Sequence, residues 1–230
     1  MQPISPMLAH VADVPFDSED HLFEIKWDGI RALAFIEGGR VRLQSREGTE
    51  ITAQFPELLS SLRKLPVGTV LDGELVVIVN GSPERSKVLR RMSVRDSLRI
   101  RFLPDRCPAT FVAFDLLHTA GKSWMPKPLF ERRFHLLELI GHLNDDRVLA
   151  SPAVEGSGIE LYRLVQERQL EGVMAKRMDG RYLPGRRSRL WLKILCAPER
   201  TGMRTQIGAV SPRLTAVHFS PASSSTIRPA

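Results

Sequence analysis

The sequence contains little cysteine. Only two of its 230 residues are cysteines, Cys107 and Cys196, and they lie far apart, with no second Cys or His at metal-ligand spacing. This scarcity argues against a zinc site. It also favours a reducing compartment, because disulfides form and persist mainly in oxidising ones.

The features of exported and membrane-spanning proteins are missing as well. No run approaches the roughly 18 consecutive apolar residues that a membrane helix needs. The first residues, MQPISPMLAHVADVPF, do not place a basic region before an apolar one, as an export signal does. We therefore expect a cytoplasmic protein without a membrane partner.

What the chain does contain is enough apolar residues for a core and an excess of basic residues. Hydrophobic residues make up 43% of the chain, which suits one large domain or two small ones. The formal net charge of +7 at pH 7 favours a polyanionic partner. Because many proteins are basic, this charge supports such a partner without identifying it.

Hydrophobic patterning predicts strands and helices in irregular alternation. The predicted strands have β-branched or alternating apolar residues and cover residues 24–28, 32–36, 41–46, 70–79, 108–121, 171–177 and 189–195. The predicted helices have apolar residues at helical spacing and cover residues 55–66, 87–92, 128–141 and 159–170. Gly38 and Gly39 predict a hairpin turn. We therefore expect an α+β fold with antiparallel sheets flanked by helices, and not a doubly wound parallel sheet.

Two of these regions allow more specific predictions. In the helix over residues 128–141, Phe130, Phe134 and Leu137 are expected on the apolar side. The segment 80–106 is rich in arginine and fits either a solvated basic face or a surface that contacts phosphate backbones. Patterning leaves both interpretations open.

The stretch EIKWDGIR, residues 24–31, places a lysine, an aspartate, a glycine and an arginine just before a predicted strand. Strand alternation would put Glu24, Lys26 and Asp28 on one face. Gly29 would let the backbone turn with positive φ or approach a ligand closely. A single lysine among carboxylates is most simply a structural ion pair. Suitable partners in later stretches make Lys26 a candidate covalent nucleophile instead.

Those later stretches complete a series of motifs. EIKWDGIR, SREG (45–48), LDGEL (71–75), FVAFDLL (111–117), EGVMAKR (171–177) and WLK (191–193) resemble the nucleotidyltransferase motifs of ATP-dependent DNA ligases. The resemblance covers about residues 6–194 and is closest to the ligase domain of bacterial multifunctional end-joining ligases. One KxDG alone is a weak signal, whereas six motifs in order are a strong one. The resemblance implies a covalent nucleotidyltransferase (ATP-grasp-like) adenylation domain over residues 1–197.

The reaction that the resemblance implies proceeds through a lysyl-AMP intermediate. Lys26 would attack the α-phosphorus of ATP and release pyrophosphate. The adenylate would then pass to the 5′-phosphate of nicked or broken double-stranded DNA, and the 3′-hydroxyl would displace AMP during repair and recombination. Because the reference pKa of a lysine is about 10.4, the amine needs desolvation or nearby positive charge to react.

The resemblance also implies which residues bind the nucleotide. These residues occupy matching positions in the motifs: Glu24, Arg31, Glu74, Phe114, Lys176 and Lys193. Phe114 would stack on adenine, although a lone Phe in a strand is more often a core residue. Arg31, Lys176 and Lys193 would activate the lysine and neutralise the triphosphate.

The remaining implied positions concern the metal and the DNA. Glu171 is the implied ligand of Mg²⁺ or Mn²⁺, and Glu74 would contact the ribose hydroxyls or the metal. Salt bridges to the many arginines are the simpler explanation for both carboxylates. Arg46 is the implied contact of the DNA 5′-phosphate, since a forked guanidinium suits that group.

The sequence departs from the family pattern near its end. The last motif usually has a second lysine, and here that position is Leu195. Residues 198–230 have little periodicity, several prolines and a serine run, so we expect an irregular tail and no OB-fold domain. A truncated or frame-shifted ligase, with an OB-fold supplied by a partner chain, would fit this pattern.

Two alternatives to an ATP-dependent DNA ligase remain open. One is an RNA ligase or mRNA guanylyltransferase of the same superfamily. The other is a truncated, non-catalytic remnant that binds nucleic acid. Leu195 favours the remnant, while the presence of Lys26, Asp28, Glu74 and Glu171 favours an active enzyme.

Overall fold

Two β-sheets, which face each other, carry the fold in a computed structural model that describes residues 1–196. In chain order the strands are β1 (Leu8–Val11), β2 (Ser18–Ile25), β3 (Ile30–Glu37), β4 (Arg40–Ser45), β5 (Thr69–Val76), β6 (Ile78–Val79), β7 (Ser82–Pro83), β8 (Thr110–Thr119), β9 (Lys122–Ser123), β10 (Val148–Ala150), β11 (Ala153–Gly156), β12 (Gly172–Arg177) and β13 (Arg187–Leu195). The α-helices are α1 (Leu58–Leu62), α2 (Arg85–Met92), α3 (Ser97–Arg101), α4 (Leu103–Arg106), α5 (Leu129–Gly141) and α6 (Gly158–Glu167). A short 3₁₀ turn covers Thr52–Gln54.

The pairing within both sheets is mainly antiparallel. The five-stranded sheet has the order β1-β13-β12-β2-β11, and the six-stranded sheet has the order β10-β8-β5-β3-β4 with β9 beside β8. The parallel pairs, β1 with β13 and β10 with β8, lie at sheet edges. The predicted α+β fold with antiparallel sheets and flanking helices is therefore confirmed.

Three apolar clusters define the layers. Alternate residues of β3 point to opposite faces: Ala32 and Ala34 join a cluster with α1, α2 and α5, whereas Leu33 and Phe35 join a cluster that includes Trp191 of β13. The third cluster packs α6 on the five-stranded sheet. The two sheets are thus sandwiched between helices, and the middle cluster holds them together.

The boundary of the strand before Lys26 differs from the prediction. β2 ends at Ile25, so Lys26 and Asp28 lie in the connection to β3 rather than on a strand face. Glu24 is inside β2 but is only 1% exposed, so it does not belong to a charged, solvated face. The alternating strand pattern did not predict this burial, because Glu24 pairs with buried cations from other elements.

Gly29 is required by close packing of the backbone. A Cβ atom here would overlap the Leu75 carbonyl oxygen and lie 2.8 Å from Glu74 Cγ. The close approach is therefore to β5, and it brings the connection that holds Lys26 against the strand that holds Glu74.

The prediction that Phe130, Phe134 and Leu137 lie on the buried side of α5 is wrong. Phe130, Phe134 and Leu137 are 55%, 54% and 40% exposed. The buried residues of α5 lie on a different face: Leu129, Arg132, Arg133, Leu136 and Ile140.

Two arginines of this helix are buried because they pair with acceptors on other elements. Arg132 donates from Nε and Nη2 to Asp115 of β8 at 2.7 and 2.8 Å. Arg133 donates to Glu24 at 3.3 Å and to the Ser151 carbonyl at 2.5 Å. Ion pairing therefore outweighs the hydrophobic pattern in orienting α5.

Several smaller features complete the description of residues 1–196. The strands β1, β10 and β11 are short edge strands that the patterning did not predict. No helix in this part of the chain is long and apolar enough to cross a membrane. Cys107 and Cys196 are both free. The predicted tail over residues 198–230, and the predicted lack of an OB-fold there, lie outside the described residues.

Candidate active site

A cavity of about 320 Å³ is lined by residues from both sheets. Its lining includes all nine residues to which the resemblance assigns a role: Glu24, Lys26, Arg31, Arg46, Glu74, Phe114, Glu171, Lys176 and Lys193. Leu195, at the position of the expected second lysine, lines it too and is 44% exposed. The fold therefore brings residues from the whole length of the motif series to one place.

Another cavity, of about 630 Å³, lies beside α2, α4 and β6. Its lining combines apolar side chains with Lys87, Arg90, Arg91 and Arg106 and includes no carboxylate. The larger cavity therefore lacks a carboxylate ligand for a divalent ion, and Lys26 does not line it. The smaller cavity is therefore the candidate active site.

Lys26 lies at the centre of the candidate site. Its backbone N–H donates to the Gly172 carbonyl at 2.8 Å, which ties the connection after β2 to the start of β12. Its Nζ lies 2.5 Å from Oε1 of Glu171, and the two side chains are 22% and 34% exposed. The amine is therefore held in place but is reachable from the cavity.

Two further carboxyl groups near Lys26 have raised pKa values. Burial raises the pKa of Glu74 to about 8, although the charges of Arg31 and Lys26 oppose the shift. Burial also raises the pKa of Asp28, and the nearby charge of Glu171 adds to the effect. At pH 7 Glu74 is thus mostly protonated and can donate a hydrogen bond.

Lys176 belongs to a buried network with Glu24. Its Nζ lies 3.0 Å from both carboxylate oxygens of Glu24 and 3.3 Å from the Phe114 carbonyl. Burial lowers the pKa of Lys176, and the charge of Glu24 opposes this. Arg133 also contacts Glu24, so this carboxylate joins β2, β12 and α5.

Arg31 is committed to a buried carboxylate in the same way. It donates from Nε and Nη2 to Asp72 at 2.9 and 2.6 Å. The Tyr182 hydroxyl donates to the same carboxylate at 2.7 Å. The charges of Arg31 and Lys176 are therefore largely balanced inside the protein.

An aromatic wall borders these two cations. The Phe114 ring contacts the Trp191 ring edge to face, with 6.1 Å between the centroids. The Lys176 Nζ lies 4.4 Å from the Phe114 centroid, and the Arg31 Cζ lies 5.2 Å from it. Phe114 is partly exposed to the cavity, whereas Trp191 is 2% exposed and packs behind it.

Other cations at the cavity have no carboxylate within ion-pair distance in residues 1–196. They are Arg46, Arg85, Arg187 and Lys193. Patterning identified Arg46 and Lys193 through the motifs. It missed Arg85, which looked like any other residue of a basic segment, and Arg187, which lies just before the predicted strand.

The donor set suits a divalent ion that keeps most of its water. Within residues 1–196 no cluster of three or more His, Cys, Asp or Glu side chains could hold a metal. Oε2 of Glu171 is nevertheless buried and has no hydrogen-bond partner in this part of the chain. One carboxylate plus substrate oxygens and water is the typical arrangement for Mg²⁺.

Comparisons with known proteins identify the family of the chain. A protein-family model described as the ATP dependent DNA ligase domain matches residues 6–194. The SPbeta prophage-derived DNA ligase-like protein LigB of Bacillus subtilis is 34% identical over 194 residues, which cover 84% of this chain and 67% of that protein. DNA ligase C1 of Mycolicibacterium smegmatis is 37% identical over 196 residues, covering 83% of this chain and 56% of that protein.

A known structure is also similar. The mycobacterial DNA ligase D complexed with ATP and MES superposes with a TM-score of 0.65 at 31% identity, and the match covers 84% of this chain and 60% of that one. The chain thus spans between about half and two thirds of the length of these three proteins.

Proposed function

The chain belongs to the family of ATP-dependent DNA ligase domains, and from this premise we propose that it is an adenylation module that forms lysyl-AMP with ATP and transfers the AMP to DNA. The observation that carries the proposal is the Lys26 amine, 2.5 Å from Glu171 in a cavity that also contains Glu74 and Phe114. The family membership predicted from the motifs is confirmed.

The first step forms a bond between Lys26 Nζ and the α-phosphorus of ATP. The bond between the α-phosphorus and the bridging oxygen breaks, and pyrophosphate leaves with that oxygen. The amine must lose a proton to react, and Glu171 Oε1 is near enough to accept it. Lys193 is free to neutralise the phosphates, because no carboxylate in residues 1–196 pairs with it.

The adenosine half would contact the wall made by Phe114. The partly exposed ring offers an apolar face to adenine. Glu74, mostly protonated at pH 7, would hydrogen-bond the ribose hydroxyls. Arg31 and Lys176 hold this wall through Asp72 and Glu24, so we propose that they position the nucleotide site more than they neutralise the triphosphate.

Glu171 would hold Mg²⁺ or Mn²⁺ through its second oxygen, Oε2, with Glu74 as a further contact once it is ionised. When bound, the ion would neutralise charge on the phosphates and on the departing pyrophosphate. Oε2 is the buried oxygen without a partner in residues 1–196, which supports this assignment.

The later steps concern DNA. Arg46 is exposed at the cavity and has no ion-pair partner among residues 1–196, so it is free to bind the 5′-phosphate of a nick. Sealing of nicked or broken DNA in repair and recombination is part of the proposal. So are the cytoplasmic location and a partner chain that supplies an OB-fold.

The mass of the intact protein after incubation with ATP and Mg²⁺ tests the proposal. We expect an increase of one AMP in the wild-type protein and none in Lys26→Ala. A stable adduct with GTP and none with ATP would indicate a guanylyltransferase. The absence of an adduct with either nucleotide, in Mg²⁺ and in Mn²⁺, would favour the non-catalytic nucleic-acid-binding remnant.

A further inference from the structure

Arg85 is a cation at the active-site cavity that lies outside all six motifs. It is the first residue of α2, and its side chain lines the cavity together with Lys26, Glu74 and Arg46. Its Nη1 donates to the Gly29 carbonyl at 2.5 Å. Gly29 belongs to the connection that carries Lys26, so Arg85 is tied to the segment that holds the nucleophile.

The contact with Gly29 uses only part of the hydrogen-bonding capacity of Arg85. A guanidinium has five N–H donors, and within residues 1–196 the Gly29 carbonyl is the one acceptor that this side chain contacts. No carboxylate lies within ion-pair distance of it in the same part of the chain. Arg85 therefore has both charge and donors available for a ligand.

The position of Arg85 relative to Lys26 follows from their shared neighbours. Both cations act electrostatically on Asp28 and on Glu74, and both favour the ionised forms of these carboxyl groups. Both cations also line the same cavity, and Arg85 contacts the backbone three residues after Lys26.

The cations differ in how much charge they can offer to a ligand. Arg31 and Lys176 are held by the buried carboxylates of Asp72 and Glu24. Leu195 also lines the cavity but carries no charge. A bound phosphate group would consequently be met by the cavity cations that pair with no carboxylate in residues 1–196, and Arg85 is one of them.

We propose that Arg85 binds a phosphate group at the mouth of the cavity, beside Lys26. The inference deepens the proposed function and rests on it, since that function brings two phosphate sources to this place: the triphosphate of ATP and the 5′-phosphate of a DNA nick. Forked guanidinium donors suit either source.

Equilibrium binding to the full chain tests this inference without any need for turnover. The variant is Arg85→Gln, and the matched control is Arg90→Gln, which removes the same charge from the same helix at an exposed position that lines the other cavity. The probes are an ATP analogue with a methylene group between the α- and β-phosphorus, adenosine, and nicked duplexes with a 5′-phosphate or a 5′-hydroxyl.

Loss of an arginine–phosphate contact should weaken binding about tenfold or more. If ATP supplies the phosphate, Arg85→Gln weakens binding of the analogue by this factor and leaves binding of adenosine unchanged. If DNA supplies it, the variant loses the preference for the 5′-phosphorylated duplex. In both cases Arg85→Lys, which keeps the charge, loses less binding affinity than Arg85→Gln.

Three results would overturn the inference. The first is that Arg85→Gln changes neither phosphate-dependent affinity. The second is that Arg90→Gln changes them equally. The third is that Arg85→Gln weakens binding of adenosine and of the analogue equally. Arg85 would then only hold the connection that contains Gly29. A wild-type protein that makes no AMP adduct but shows the Arg85 effect would contradict the proposed function and support this inference.

Discussion

Two kinds of ion pair hold residues that line the same cavity, and they differ in burial. The pairs Arg31–Asp72 and Lys176–Glu24 have one or both side chains almost fully buried. The pair Lys26–Glu171 is 22% and 34% exposed. A buried pair is costly to separate because either partner would be left as an uncompensated charge. A half-exposed pair can open for a substrate, so the difference separates the charges that hold the site from those available for chemistry.

The distinction between the two kinds of pair is tested most directly at Lys26, which belongs to the half-exposed pair and should be the reactive residue. We expect Lys26→Ala to abolish the AMP adduct completely, while the free energy of unfolding changes by less than about 1 kcal/mol, since partly exposed pairs contribute little. Intact mass and urea unfolding measure the two effects. Lys26→Arg keeps the charge and should also form no adduct. An adduct on the Ala variant would assign the chemistry to another residue.

Mutation of the buried pair Arg31–Asp72 should instead lower the stability of the protein strongly. Asp72→Asn leaves Arg31 without its counter-charge, so we expect about 3 kcal/mol of destabilisation in urea unfolding. Glu171→Gln serves as the control from the exposed pair and should cost less than about 1 kcal/mol. If both variants lose similar stability, burial does not distinguish the pairs.

The pH dependence of stability sharpens the comparison at Glu74. Its pKa is about 8 in the folded protein, compared with 4.5 as the reference value. Between these values the folded state retains a proton that the unfolded state releases, so unfolding free energy falls as pH rises, by at most about 1.4 kcal/mol per pH unit.

Glu74→Gln removes this contribution and provides the test. Subtracting its stability from that of the wild-type protein between pH 5 and 8 isolates Glu74 from other titrating groups, including Asp28. A difference that stays constant over this range would show that burial does not raise the pKa of Glu74.

The smallest effect is expected at the apolar part of the cavity wall. Leu195 is 44% exposed, so Leu195→Lys should be accommodated with little change in stability. The added charge should raise the rate of AMP-adduct formation by up to about tenfold at limiting ATP. Leu195→Gln, which adds a polar group without charge, is the matched control. An equal gain in both variants would exclude a charge effect.

Local sequence patterns predicted the longer strands β3, β4, β5, β8, β12 and β13, because β-branched and alternating residues reflect burial on a sheet. The hairpin of β3 and β4 around Gly38 and Gly39 formed as expected, and both glycines have positive φ. The apolar side of α5 was predicted wrongly, since its orientation depends on Arg132 and Arg133 finding acids on other elements. No local pattern contains that information.

The amino-acid sequence by itself determined the residue types of the site and their order along the chain, which is why motifs alone identified the ligase family. The tertiary structure decided which of those charges are internally balanced and which face the cavity. Arg31 meets Asp72 across 41 residues, and Lys176 meets Glu24 across 152. Partners so distant in sequence are brought together by sheet pairing and sheet packing, and the balance of charge at the site follows from these contacts.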